Sequence, residues 1–215
     1  MKVVETKLNS NLDKMLDPEK VIEVSGTPEY LFNEYKKFFE AESFVEALEV
    51  LTKTLNKGFP IAEFEMGKHY YFGSEQLGIV KDYLKAFDFF SNAALLGHAG
   101  ALYYQGNMYL NGLGVVLDIN QALLSLNDAA IKGEIEALDA LGKIYQFGCS
   151  EILPDLKKAE SYYKNAVNLG YSPSMLNLAV LLENQYRFEE AYELIIESAK
   201  KGYIEAINYG LSIYK

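Results

Sequence analysis

The stretch GNMYLNGLGVVLD, Gly106 to Asp118, is the most glycine-dense part of the chain, and its reading decides the fold. A glycine-rich loop that cradles phosphate needs a strand ahead of it and Gly-Lys-Ser/Thr at its end, and this stretch has neither. It lines up with FGSEQLGIVKD (72–82) on one side and FGCSEILPD (147–155) on the other, each ending on an aspartate. A loop that recurs with the same ending is a connection within a repeat. Its glycines are explained by the left-handed turn it must make.

The repeat is visible in several columns at once. Gly58, Gly97, Gly133, Gly170 and Gly202 follow one another at steps of 39, 36, 37 and 32 residues. Eleven positions before each stands an alanine: Ala47, Ala86, Ala122, Ala159 and Ala191. Four positions after each stands a small residue: Ala62, Ala101, Ala137, Ser174 and Ala206. Twelve after come Tyr70, Tyr109, Tyr145, Leu182 and Tyr214.

Each unit reads as two helices. In the first, Ala101, Leu102, Gln105-Gly106 and Tyr109 fall at helical spacing, a face whose glycine lets a neighbouring backbone approach closely. In the three central units the second helix opens at Asp82, Asp118 and Asp155, each four residues before its unit's alanine. A carboxylate there accepts bonds from the free amides of the first turn and suits the helix dipole. The second helix then closes at the glycine, where a left-handed residue ends a helix.

On these residues, above all 101–133 with its flanking copies at 62–97 and 137–170, the sequence resembles the Sel-one-like repeat, a relative of the tetratricopeptide repeat with a longer inter-helix loop. The units at 28–58 and 174–202 have short connections and look like plain tetratricopeptide units. The resemblance implies an all-α fold, a right-handed α-solenoid of stacked antiparallel helix pairs whose first helices line a concave side. The large aromatic the family places midway along the second helix matches Phe89 and Tyr162, with Ser125 in the middle copy.

The expected organisation is an N-terminal extension (1–26) and a single array (27–215). Its units are 27–58, 59–97, 98–133, 134–170 and 171–202, with a capping helix at 203–215. Within the extension, Asp17-Pro18 would open a short helix. Thr27-Pro28 starts the first helix of the array, and SFVE (43–46) forms a capping box for its partner. In the last helix Ala206, Ile207, Ile213 and Tyr214 should pack on the preceding pair. Apolar surface left uncovered there leads to the expectation of a homodimer through that helix.

Repeat scaffolds bind with first-helix side chains not spent on packing. Projecting the phase of Gly67, Gly106 and Gly142 puts Phe32, Phe64, Tyr103 and Asp139 in one row. Lys36, Lys68, Asn107 and Lys143 form a second, and Tyr71 and Gln146 belong to a third. Aromatics beside fixed cations suit a protein or peptide; the same aromatics also fit as ordinary core of a narrow solenoid. Thirty acidic against twenty basic residues give a net charge of -10, which favours a basic or neutral partner and opposes nucleic acid and anionic membrane.

No cofactor or metal is expected: two histidines, His69 and His98, and the single Cys149 lack any recurring ligand spacing. His98, just after Gly97, is expected to assist the helix ends. One cysteine excludes an internal disulfide, and neither a secretory core nor a membrane-length apolar run occurs, which reads as cytoplasmic. The function expected is a non-catalytic protein-binding module, an adaptor or regulator. One alternative is an immunity protein neutralising a basic toxin. The other, a β-lactamase-like hydrolase, follows from the resemblance alone, and the paired cysteines of such family members are missing here.

Overall fold

The computed structural model describes residues 26–149 and 151–213. The helix expected at Asp17-Pro18 and the packing expected of Tyr214 lie outside the described residues. Within them the chain is all helical, with eleven helices and no strand. Residues up to Ala93 and from Ala94 onward form two compact units, taken here in turn.

The first unit holds α1 (Pro28–Glu40), α2 (Phe44–Leu55), α3 (Pro60–Phe72) and most of α4 (Tyr83–Leu95). Thr27 caps α1, its hydroxyl accepting from the Tyr30 amide at 3.3 Å. Ser43 does occupy the N-cap of α2, but its side chain makes no capping bond. The expected capping box is therefore not formed; with Ser43 at φ -89°, ψ 67°, the N-cap lacks the extended backbone that turns a hydroxyl toward the first-turn amides. The core gathers Tyr35, Ala47, Leu51, Ala62 and Met66, ringed by partly buried aromatics such as Phe32, Phe39 and Phe89.

The second unit continues with α5 (Ala99–Asn111), α6 (Ile119–Ile131), α7 (Ile135–Phe147), α8 (Leu156–Asn168), α9 (Ser172–Glu183), α10 (Phe188–Lys200) and α11 (Ile204–Ile213). Each of these helices packs on the next. The three long loops share one tie: the amides of Asp82, Asp118 and Asp155 donate to the carbonyls of Tyr70, Tyr109 and Tyr145. Their carboxylates meanwhile cap α4, α6 and α8 by accepting from Lys85, Gln121 and Lys158 amides at 3.0–3.1 Å. One aspartate thus fixes both the end of the loop and the start of the helix. The short connections instead place Glu42 and Tyr186 in the left-handed region, at φ 58° and 63°.

The columns read from the sequence are the core. Both alanine columns, with Ser174 in its place, are 0% exposed throughout. The first-helix glycines do something more specific than admit a neighbouring backbone. A Cβ on Gly67 would lie 2.7 Å from the Phe90 ring, and one on Gly106 2.7 Å from Leu126 Cγ. Gly142 faces the Tyr163 ring in the same way. These glycines are sockets for a large, fully buried side chain of the paired second helix, each worth roughly 1.5–3 kcal/mol of apolar burial. The family's aromatic position lies one residue earlier, where Phe89 stacks on Tyr70 and Tyr162 on Tyr145 at centroid distances of 5.5 and 5.6 Å. In the middle copy the Ser125 hydroxyl donates to Gln105 Oε1 at 2.9 Å instead.

The last helix departs from expectation. Ala206 is buried, whereas Ile207 and Ile213 stay exposed together with Ile204 and Leu211. Contact with α10 runs along the Ala206 edge, where Gly210 approaches Ile195, and Ile207 and Leu211 lie at its margin, bordering an open groove with Tyr192 and Ile196.

Two titrating groups sit within this packing and act in opposite senses. His69 Nε2 lies 2.7 Å from the Tyr35 hydroxyl, and burial, followed by the charge of Lys68, holds the imidazole below its usual 6.5. Its contribution is present above 6.5 and lost as pH falls toward the folded value, because the unfolded chain takes the proton first. Glu134, at the start of α7, is pushed up to about 7 by burial and then by the bond and charge of Glu136. Its contribution is present below the unfolded carboxylate range and lost as pH rises through about 7.

Two outcomes are expected from denaturant unfolding. Gly106→Ala lowers stability by about 1–3 kcal/mol despite a helix-propensity gain of about 1, and combining it with Leu126→Ala costs less than the two changes added. Between pH 7.5 and 5.0, His69→Gln loses less of its unfolding midpoint than the parent chain does. Equal losses in parent and variant exclude the histidine as the source of that slope.

Candidate functional site

In the second unit the first helices of successive pairs border one hollow of about 600 Å³, within the range of ligand-binding clefts. α5 contributes Tyr103 and Asn107, and α7 contributes Glu136, Asp139 and Lys143. Tyr171 and Tyr203, which precede α9 and α11, close it from the far side. Four residues projected from the sequence, Tyr103, Asn107, Asp139 and Lys143, therefore line the same space.

Asp139 organises the floor. Only 4% exposed, it accepts the Ser174 hydroxyl at 2.5 Å and the Asn177 amide at 2.7 Å on Oδ1, while Lys143 Nζ lies 2.7 Å from Oδ2. A buried carboxylate tolerates its site only when so paired, and the pairing fixes α7 against α9. Around it the phenols respond to negative charge. Burial raises Tyr171 well above the usual phenol range, and the carboxylates of Asp139 and Glu136 and the phenols of Tyr103 and Tyr203 push it further. Burial likewise raises Tyr103, whose phenol oxygen is hydrogen-bonded by the Asn107 side chain, and Tyr203, which feels Glu205 and Asp139.

Gln146 does not line the hollow; its Oε1 accepts the Tyr163 hydroxyl at 2.7 Å. The other projected residues belong to the first unit. There Lys36 Nζ lies over the Phe32 ring at 4.9 Å and Lys68 Nζ over Phe64 at 5.2 Å. The rings themselves lean on the core, Phe32 stacked on Tyr35 and Phe64 tilted on Phe90. Tyr71 meets Tyr83 edge-on at 5.3 Å. Core packing and a cation-covered surface are here two sides of the same aromatics.

Glu136, Tyr171 and Tyr203 escaped the sequence projection, which followed only mid-helix positions. A usable signal existed: Tyr171 and Tyr203 immediately follow closing glycines Gly170 and Gly202. Cys149, half-buried, lines the hollow, with no histidine among the lining residues. His98 caps α5 by accepting the Ala101 amide on Nδ1 at 3.2 Å, the helix-end role expected of it. Among the described residues no group of three histidine, cysteine, aspartate or glutamate side chains is placed to hold a metal ion, and no helix is long and apolar enough to cross a membrane.

Comparison with known proteins places this architecture. The Sel1 repeat model matches residues 60–98, 99–124 and 135–171, stretches that each contain one of the three long inter-helix loops. A solved Sel1 repeat protein from Oxalobacter formigenes superposes with a TM-score of 0.77 at 24% identity, covering 99% of this chain and 85% of that one. An immunity protein from Pseudomonas aeruginosa superposes with a TM-score of 0.58 at 23% identity, covering 89% of this chain and 69% of that one. Among curated proteins, chitin synthase regulatory factor 4 of Schizosaccharomyces pombe is 40% identical over 50 residues, 23% of this chain. The chain spans 8% of that protein's length. The fold is the α-solenoid of stacked helix pairs seen in these solved structures. Residues 60–171 carry three Sel1 repeats, and the chain is a Sel1 repeat protein.

Proposed function

We propose that this chain is a non-catalytic binding module, an adaptor or regulator, that holds a protein or peptide on the concave face of its first helices. The observation that carries the reading is the hollow bordered by Tyr103, Asn107, Asp139 and Lys143. It is concave and of ligand-binding size, and of these four side chains only Asp139 is spent on the packing, where it holds Ser174 and Asn177. Sel1 repeats generally mediate protein–protein interaction, which fits. Phe32, Lys36, Phe64, Lys68 and Tyr71 of the first unit and Gln146 of the second are proposed as binding residues, each within its own unit.

An immunity role against a basic toxin is the second reading. It is favoured by the net charge of -10 and by the carboxylates in the hollow, and an immunity protein is among the chains of like fold. It predicts a toxin encoded beside this chain, lethal alone and silenced on co-expression. Survival that does not depend on the chain removes it.

For the leading reading, Tyr103→Ala combined with Asn107→Ala should cut partner capture from source-cell extract by about tenfold or more, the loss of one or two anchoring side chains, while far-ultraviolet circular dichroism is unchanged. Val116→Ser with Leu153→Ser, on the exposed loops, should leave capture intact; the reverse pattern assigns binding to the loop edge. A homodimer through α11 belongs to the same proposal, since Ile204, Ile207 and Leu211 are exposed there. Light scattering should then report a dimer that Leu211→Asp converts to monomer, and a monomeric parent chain dismisses it.

A further inference from the structure

The hollow of the second unit carries more chemistry than a generic contact surface. Three phenol rings, Tyr103, Tyr171 and Tyr203, border it together with the carboxylates of Glu136 and Asp139. Lys143 is its one lining ammonium, and that charge is already matched by Asp139 at 2.7 Å. The lining thus keeps one negative charge in excess, on the Glu136 side. An anion entering here meets the carboxylate of Glu136, which shares a side-chain hydrogen bond with Glu134, whereas a cation meets phenol rings and carboxylate together.

We infer that this hollow is an arginine-recognition site, taking a guanidinium group from a basic segment of the partner between the Tyr103, Tyr171 and Tyr203 rings and onto Glu136. A guanidinium suits it better than an ammonium because its plane stacks on aromatic faces while its edge donates to carboxylate and phenol oxygens. At about 600 Å³ the space holds an arginine side chain with some of its flanking backbone. The field the guanidinium would meet is registered by Tyr171, whose phenol is raised by burial and by both carboxylates. Asp139 has its oxygens committed to Ser174, Asn177 and Lys143, so it positions the wall while Glu136 supplies the ion pair. The inference rests on the reading of this face as a protein-binding surface.

The test uses the full chain with ¹³C-labelled tyrosine rings and the blocked tripeptide acetyl-Gly-Arg-Gly-amide, compared with the same peptide carrying citrulline, a neutral isostere of arginine. The arginine peptide should shift a small set of ring signals saturably, those lost in Tyr103→Phe, Tyr171→Phe and Tyr203→Phe chains. Citrulline should bind about tenfold more weakly, the scale of a charge-assisted pair. Glu136→Gln, on a partly exposed helix position, should weaken the arginine peptide by about the same factor and leave helicity unchanged. Absence of saturation, citrulline within about twofold of arginine, or an unaffected Glu136→Gln chain each overturns the assignment. If the peptide fails while Tyr103→Ala with Asn107→Ala still loses the partner, the arginine site falls and the binding surface stands. If the peptide binds while those changes leave partner capture intact, the arginine site stands and the binding reading falls.

Discussion

Everything in this chain depends on how closely two helices can approach. Each hairpin is a pair of helices of 12 or 13 residues, short enough that isolated helices of this kind are marginal in water. Their order comes from packing, and packing comes from the columns of alanine and serine at 0% exposure together with the buried glycines Gly67, Gly106 and Gly142. Small residues bring the axes together, and the sockets at Gly67, Gly106 and Gly142 then receive Phe90, Leu126 and Tyr163. Close approach and large-residue filling are complementary: one sets the separation, the other fills the volume that separation leaves.

The same arithmetic explains what the sequence could reveal. Columns that recur every 32 to 39 residues announce themselves, and so do aspartates at a constant offset from them. Asp82, Asp118 and Asp155 cap as their spacing demands, and the closing glycines take the left-handed backbone, as at Gly97 and Gly133 with φ of 86° and 92°. Ser43 has the composition of a capping box, yet its backbone angles keep the side chain from closing it. That is a matter of approach geometry, which no local motif encodes. The sockets were legible as glycines but not as to their occupants, because the filling residue belongs to another helix, 20 to 23 positions away. In α11 the apolar residues were legible while their orientation was not: Ala206 is buried and Tyr209 packs on the core, whereas Ile204, Ile207, Leu211 and Ile213 stay exposed.

The candidate site divides along the same line. Tyr103, Asn107, Asp139 and Lys143 were found because they keep helical phase with the glycines, and they do meet around one hollow. Asp139 shows why phase alone is insufficient. It lies in the projected row, yet its carboxylate is spent holding Ser174 and Asn177 of the next first helix. A buried acid so engaged contributes field and rigidity more than contact. The projection therefore picked out four residues that border one hollow and left open which of their polar groups are already engaged within the fold.

The position after each closing glycine makes the last step. Phe59, His98, Glu134 and Tyr171 occupy it as N-caps with similar extended backbone, and Tyr203 stands there before α11. Among the four N-caps only His98 uses its side chain to cap its helix. The glycine has already turned the chain, so the following residue is released from the demands of helix termination. It can be aromatic, acidic or imidazole without disturbing the stack. A repeat whose columns are fixed by contact distance can vary its surface only where contact distance does not reach. In this chain two such positions, Tyr171 and Tyr203, fall beside the charged row of α7. The hollow of the second unit is thereby lined at the seam between recurring packing columns and caps left free of them.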